Sequence, residues 1–279
     1  MGVGPFKVYN LRRDLFQPSG GGNSKRHRYL FWFFLFVVII VFAEAEPQEI
    51  PAARWGKNGG NIIRYVETQE KVLALTFDDG PDVATSEILD LLAAYGGRAT
   101  FFAVGKQLQM FPELALRIVA EGHDLANHTY SHPRMNSLSE KQLQEEIGKT
   151  EDIILKITGQ RPRFFRPPYG EYNQALADFL AKRGYTIVLW SEDSRDFARD
   201  RSVEKIVGNA LTGLQSGDII LFHDGGPREM TVTALKLILP KLRAEGYALL
   251  NLSELTKFNR ERKETSESGW ARVTESVQP

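Results

Sequence analysis

The sequence has no cysteine among its 279 residues, which excludes a disulfide framework and any thiolate metal centre. A bound cation would therefore have to use histidine and carboxylate ligands. Charge of one sign is not in excess either, since 35 Lys and Arg balance 35 Asp and Glu. Without a global positive field there is nothing to grip a phosphate backbone, so nucleic acid is not an expected partner. No GxGxxG fingerprint occurs, which argues against a dinucleotide-binding open sheet, and no internal repeat is discernible. Nor does any apolar run reach the roughly 20 residues of a membrane-spanning helix.

What is present is an ordinary globular composition, 42% hydrophobic and 25% charged, enough for one domain of catalytic size plus tails. The chain divides into four segments. In residues 1–45, Lys7, Arg12, Arg13, Lys25, Arg26 and Arg28 precede an apolar run from Tyr29 to Ala43 that ends in Ala43-Glu44-Ala45. A basic region, a short apolar run and a small-x-small site read as a secretory signal peptide; an uncleaved membrane anchor is the competing reading. Both put the rest of the chain outside the cytoplasm, facing the cell wall, secreted or held at the membrane. Arg12-Arg13 lie too far from the run for a twin-arginine signal. Residues 46–70 read as a polar connector, 71–256 as the folded domain, and 257–279 as a polar tail with too few apolar residues to bury.

Within the domain, short β-type runs alternate with helical periodicity, the pattern of an α/β fold with parallel strands. Strands are expected at Val72 to Phe77, Ala99 to Val104, Asp124 to Asn127, Phe164 to Arg166, Thr186 to Trp190, Asp218 to Phe222 and Ala248 to Leu250. Helices are expected at Ala84 to Ala94, Pro112 to Glu121, Ser139 to Thr158, Asn173 to Arg183, Ser202 to Leu214 and Thr231 to Glu245. Ser139 with Gln142 forms a capping box, and Gly122, Gly184 and Gly246 follow helix ends. About seven βα units suit a closed or nearly closed barrel.

In such a barrel, chemistry gathers where strands end. The strand ends here are polar: Asp78-Asp79-Gly80-Pro81, His128 to His132, Arg166-Pro167-Pro168-Tyr169-Gly170, Asp193 with Asp196, and His223-Asp224. Adjacent carboxylates leaving an apolar strand raise each other's pKa and lose hydration, a conflict that a cation resolves. His128 and His132, four apart, would share one side of a helical turn and reach one cation. With one aspartate they make a two-histidine, one-carboxylate site with open positions, as catalysis requires. Each motif alone has a plainer explanation: a polar turn at Asp78-Asp79, the start of a rigid loop at Arg166, a satisfied core histidine at His223. Their succession at consecutive strand ends does not. His123, outside these positions, reads as structural.

This motif series, over roughly Lys71 to Leu255, resembles the NodB-type polysaccharide deacetylases of carbohydrate esterase family 4. The resemblance implies a distorted (β/α)7 barrel and metal-dependent removal of N-acetyl groups from an N-acetylglucosamine polymer, peptidoglycan or chitin-like, with release of acetate. It implies Asp79, His128 and His132 as ligands of a divalent ion, zinc first and cobalt or another as alternatives. By the same carry-over, Asp78 is the general base and His223 the general acid. Arg166 holds Asp78, Asp196 pairs with His223, Leu221 lines the acetyl pocket, and the Tyr169 backbone N–H faces the oxyanion. Phe197 departs from the family's usual tryptophan on the groove wall. The chain is expected to act as a monomer on its polysaccharide. Two rivals are a catalytically inactive carbohydrate-binding module on the same barrel and a non-haem iron oxygenase, which uses the same ligand triad.

Overall fold

The computed structural model describes residues 62–258. The N-terminal basic and apolar segment and nearly all of the C-terminal tail lie outside the described residues, and within them no helix is long and apolar enough to cross a membrane. The strands are β1 (Ile62–Ile63), β2 (Val72–Asp78), β3 (Ala99–Ala103), β4 (Asp124–Asn127), β5 (Phe164–Phe165), β6 (Thr186–Val188), β7 (Glu192–Asp193), β8 (Ile219–His223) and β9 (Ala248–Leu249). The helices are α1 (Val83–Ala94), α2 (Gly105–Met110), α3 (Pro112–Ala120), α4 (Glu140–Thr158), α5 (Gln174–Lys182), α6 (Val203–Leu211) and α7 (Glu229–Ala244). A last helical segment covers 252–258.

The strands pair in parallel in the order β1-β6-β5-β4-β3-β2-β8-β7, with β9 against the start of β2. One stretch of chain curls this sheet into a distorted barrel. Residues 186–193 pair with β5 and β1 through β6 and then with β8 through β7, the Ser191 N–H donating to the Ile219 carbonyl at 3.0 Å between them. An antiparallel bridge from Tyr65 to Asp218 adds to the closure.

The sequence of β2, VLALTFD, is buried on both faces, as a parallel strand between helices and a barrel interior must be. Its two faces have different partners. Leu73, Leu75 and Phe77 join Ile88, Leu92, Leu235 and Leu239 of α1 and α7. Val72 and Ala74 join Phe102, Ala126, Phe164, Val188 and Ile219 inside the barrel. Because side chains alternate with period two, the inward phase continues through Thr76 to Asp78. The same phase runs from Ile219 through Leu221 to His223 and from Phe164 to Arg166. The apolar core and the polar strand ends are thus one face of each strand.

At the other end the barrel is filled by Leu252 and Leu255, together with Ile63 and Val66. Val66 is fully buried, a burial that contributes about 1.5–3 kcal/mol. The segment read as a connector up to residue 70 therefore supplies a strand and core residues. At the C-terminal boundary, Phe258 packs against the same cluster, so folded chain runs two residues past 256. The helix signals hold: Ser139 and Gln142 form the reciprocal box at the start of α4, and Gly122, Gly184 and Gly246 have positive φ. Four short elements, β1, α2, β7 and the helical segment at 252–258, were not among the expected ones.

Candidate active site

The Asp79 carboxylate and two imidazoles converge at the C-terminal mouth of the barrel. Asp79 Oδ1 lies 3.5 Å from His128 Nε2 and 3.2 Å from His132 Nε2, and one ligand atom from each of the three residues falls within 4.8 Å of the others. The two histidines are not on a helical turn, as their spacing suggested. They sit on a tight loop after β4 in which Thr129 and His132 have φ of 70° and 58°, and this reversal brings the rings to 4.9 Å between centroids. His128 Nδ1 is 2.7 Å from the Arg166 carbonyl. A carbonyl only accepts, so Nδ1 carries the hydrogen and Nε2 keeps its lone pair for a cation.

The donor set fits a divalent metal on a further observation. Asp79 Oδ1 is buried and has no hydrogen-bond partner. An unsatisfied buried acceptor costs about 1–3 kcal/mol, and a divalent cation held by Asp79, His128 and His132 would offset that cost. Burial alone would raise the Asp79 pKa, but the imidazoles of His128, His223 and His132 close to it outweigh burial and hold the carboxyl well below its usual range. The His128 pKa is raised despite burial, by the charges of Asp78 and Asp79. Burial and the His128 charge lower that of His132.

Asp78, one residue earlier on β2, faces the same space with its Oδ2 3.8 Å from His128 Nε2. Its Oδ1 accepts from Arg166 Nη1 at 2.7 Å. Arg166 is fully buried, and its other donors reach Thr76 Oγ1 and the carbonyls of Val188 and Leu189 at 2.9–3.1 Å. The guanidinium stacks 4.1 Å over Phe102. A buried cation bound on every side has one orientation, and so does the carboxylate paired with it.

Across the mouth, His223 stands beside Asp78 in the β2–β8 register. Its Nδ1 is 2.7 Å from Asp196 Oδ1, while Asp196 Oδ2 accepts from the His223 backbone N–H at 2.9 Å and from Thr231 Oγ1 at 2.8 Å. Asp193 turns Oδ1 instead to the Arg195 N–H at 2.8 Å. Burial works against the charged His223, but the Asp196 hydrogen bond and charge raise its pKa. Leu221, buried and opposite Thr76, lies below. The Tyr169 ring meets His132 edge-on at 4.8 Å, and Phe197 meets His223 edge-on at 5.3 Å. Both aromatics are about half exposed on the rim. Gly80 is required by close approach, since a Cβ there would fall 2.1 Å from Asp224 Oδ2.

All the expected residues thus gather at one mouth. His123 sits at the opposite end of β4, accepting from the Ala99 N–H at 3.0 Å. Two residues, Thr231 and Glu146, were missed, and Asp224 was named at its strand end without a role. Thr231 braces Asp196; Asp224, its pKa pushed up to about 7 by burial, accepts from Gly80 and Thr85; Glu146 holds the histidine loop. Asp224 stood in the motif series beside His223, but its bonds to Gly80 and Thr85, like the other two residues, become visible only when the elements pack. Among the described residues, the five non-glycine residues with positive φ are Asp79, Thr129, His132, Tyr169 and Arg195, all in loops at this mouth. Such conformations cost about 1–3 kcal/mol each and collect at functional sites.

A parallel-stranded barrel with a cation-ready triad, an oriented carboxylate and a carboxylate-backed imidazole at its mouth defines a hydrolase of the metal-assisted class. The comparisons make the family definite. A polysaccharide deacetylase family model matches residues 65–188. A peptidoglycan-N-acetylglucosamine deacetylase of Bacillus cereus is 40% identical over 203 residues, 71% of this chain and 94% of the relative. Among solved structures, a peptidoglycan N-acetylglucosamine deacetylase superposes with a TM-score of 0.68 at 35% identity, covering 70% of this chain and 92% of the other. A pseudoenzyme of carbohydrate esterase family 4 from Bacillus anthracis superposes with a TM-score of 0.64 at 26% identity, covering 70% and 68%. The chain belongs to the polysaccharide deacetylase family.

Proposed function

We propose that the protein hydrolyses the N-acetyl amide of N-acetylglucosamine units in a cell-wall polysaccharide, releasing acetate and a free amine. The observation that carries this reading is the coexistence at one mouth of the Asp79-His128-His132 triad, Asp78 held by Arg166, and His223 backed by Asp196. The family's peptidoglycan-directed relatives support peptidoglycan as the polymer. They also support action outside the cytoplasm, in keeping with the N-terminal segment as an export signal or anchor. Zinc suits two imidazoles and a carboxylate with coordination left open.

Asp79, His128 and His132 would hold a divalent cation, which would supply Lewis acidity and lower the pKa of the attacking water. Asp78, fixed by the Arg166 guanidinium, takes a proton from the attacking water. The Tyr169 backbone N–H donates to the oxyanion that develops on the acetyl carbonyl, a kind of contact often worth about 3 kcal/mol. Leu221 packs against the acetyl methyl. His223, kept protonated by Asp196, gives its proton to the departing nitrogen as the C–N bond breaks.

An inactive carbohydrate-binding barrel is the second reading, in keeping with the existence of a pseudoenzyme on this fold. Both proton-handling groups are present here, which favours catalysis. Acetate and free-amine assays on peptidoglycan fragments, chitin oligomers and acetylated xylan, with zinc added, test the proposal. Release from an N-acetylglucosamine polymer supports it. Binding without acetate on every glycan would favour the inactive module.

A further inference from the structure

The loop that carries the two histidines has a backbone that no regular element supports, and its polar groups are nonetheless accounted for. Its carbonyls at Thr129 and Tyr130 accept from the N–H groups of Gly105 and Lys106 at 2.9 and 3.0 Å. The Thr129 N–H donates to Asn127 Oδ1 at 2.9 Å, and the His132 N–H to Thr129 Oγ1 at 3.1 Å. The remaining backbone donors between the histidines, together with the Ser131 hydroxyl, go to one carboxylate. Glu146 Oε2 accepts from the backbone N–H of Tyr130 at 3.0 Å and of Ser131 at 2.8 Å, and Glu146 Oε1 accepts from Ser131 Oγ at 2.8 Å. Both oxygens of a half-buried glutamate on α4 are thus committed to the two residues midway between His128 and His132.

We infer that Glu146 is a positioning residue for the metal site: its carboxylate sets the curvature of the 129–132 loop and with it the distance between the two imidazoles. Charge-assisted bonds to backbone N–H groups are stronger than neutral ones, and the loop they hold contains two residues, Thr129 and His132, in left-handed conformations that relax unless their surroundings enforce them. Asn127, whose amide donates to the Ile147 carbonyl and to Tyr185 Oη at 3.0 Å each, ties the preceding residue to the same helix. Both histidines are therefore referenced to α4. Without the carboxylate, the N–H groups of Tyr130 and Ser131 turn to water and His132 drifts from His128. A cation then has to reorganise the loop in order to bind. Partners one shell outside the ligands typically change metal affinity by about 10- to 100-fold.

The inference rests on the metal-site reading above, and its test separates the two. Zinc affinity of the purified, metal-stripped full chain is measured by competition with a chromophoric chelator, alongside thermal melts with and without zinc. Glu146→Ala should keep the far-ultraviolet spectrum of the wild type and bind zinc about 10- to 100-fold more weakly, with KM for the glycan little changed. Glu146→Gln, which still accepts a bond but carries no charge, should fall between, and Glu145→Ala, at the exposed neighbouring position, should match the wild type. If Glu146→Ala does not fold, Glu146→Gln and Ser131→Ala carry the same test in smaller steps. A lower melting temperature with unchanged zinc affinity would mean that Glu146 only stabilises the fold, and would overturn the inference while leaving the metal site intact. Failure of the wild type itself to bind zinc or cobalt would instead overturn the functional reading, and this inference with it.

Discussion

Asp196→Asn isolates the charge that keeps the imidazole of His223 protonated. Asparagine can still accept from Nδ1, so ring orientation is retained while the negative charge is lost. A unit charge pair at about 4 Å in an effective dielectric of 20 interacts by about 4 kcal/mol, an upper bound here because His223 opens onto the groove. Measured opposite-charge effects of about 1–3 pKa units bring the expectation to about 1–2 units, or 1.4–2.7 kcal/mol. The sign follows from the role. A general acid works below its own pKa, Asp196 raises that pKa, and its removal lowers it. The alkaline limb of kcat/KM against pH should therefore move about 1–2 units toward acid, and activity above both limbs should fall about 10- to 100-fold, while the acid limb stays. The asparagine amide also meets the Thr231 hydroxyl and the His223 N–H, so rates are compared per folded molecule. Asp193→Asn is the control, since that carboxylate turns to Arg195. An alkaline limb that is unmoved in Asp196→Asn but shifted in Asp193→Asn would refute the assignment; limbs unmoved in both would remove His223 as an acid tuned by this loop.

Two further substitutions probe the other parts of the site. Asp78→Asn should keep the bound metal but lose about 10²- to 10⁴-fold in kcat, the usual contribution of a general base; metal analysis beside steady-state rates checks it, and near-normal turnover per bound ion would contradict the role. Phe197→Trp enlarges the exposed ring beside His223 and should lower KM for an oligosaccharide about 2- to 10-fold, from an aromatic contact of about 0.5–1.5 kcal/mol, with kcat little changed. An unaltered KM would show that sugar does not pack there.

The parts of the fold that were legible in the sequence are those in which one local pattern determines the outcome. All seven expected runs hold a strand, β5 and β9 shortened to two residues, and the longest are fixed because no other element buries Val72–Asp78 or Ile219–His223 so fully. The unexpected two-residue strands β1 and β7 carry no periodicity and exist because the sheet closes on them. Helix α2 is six residues with no side-chain cap at its start, too short for its spacing to register. Spacing correctly joined His128 to His132 but supplied the wrong geometry, because a four-residue separation is satisfied by a tight loop as well as by a helical turn. The choice of Asp196 over Asp193 as the partner of His223 needed the family resemblance, and in the fold it turns on a left-handed Arg195 that sends the two carboxylates different ways. Thr231 and Glu146 were out of reach because each meets its partner through packing and not through a local pattern, Thr231 with Asp196 35 residues away and Glu146 folding back on the loop 15 residues before it.

A zinc titration of the metal-stripped protein with a soluble N-acetylglucosamine oligomer, followed by acetate release, tests the central claim most directly. Activity should be absent at the start, rise in proportion to added zinc and level off at one equivalent in the wild type, and His132→Ala should show no such break at one equivalent. Full acetate release by the metal-free protein, or equal activity in His132→Ala at one equivalent of zinc, would contradict it.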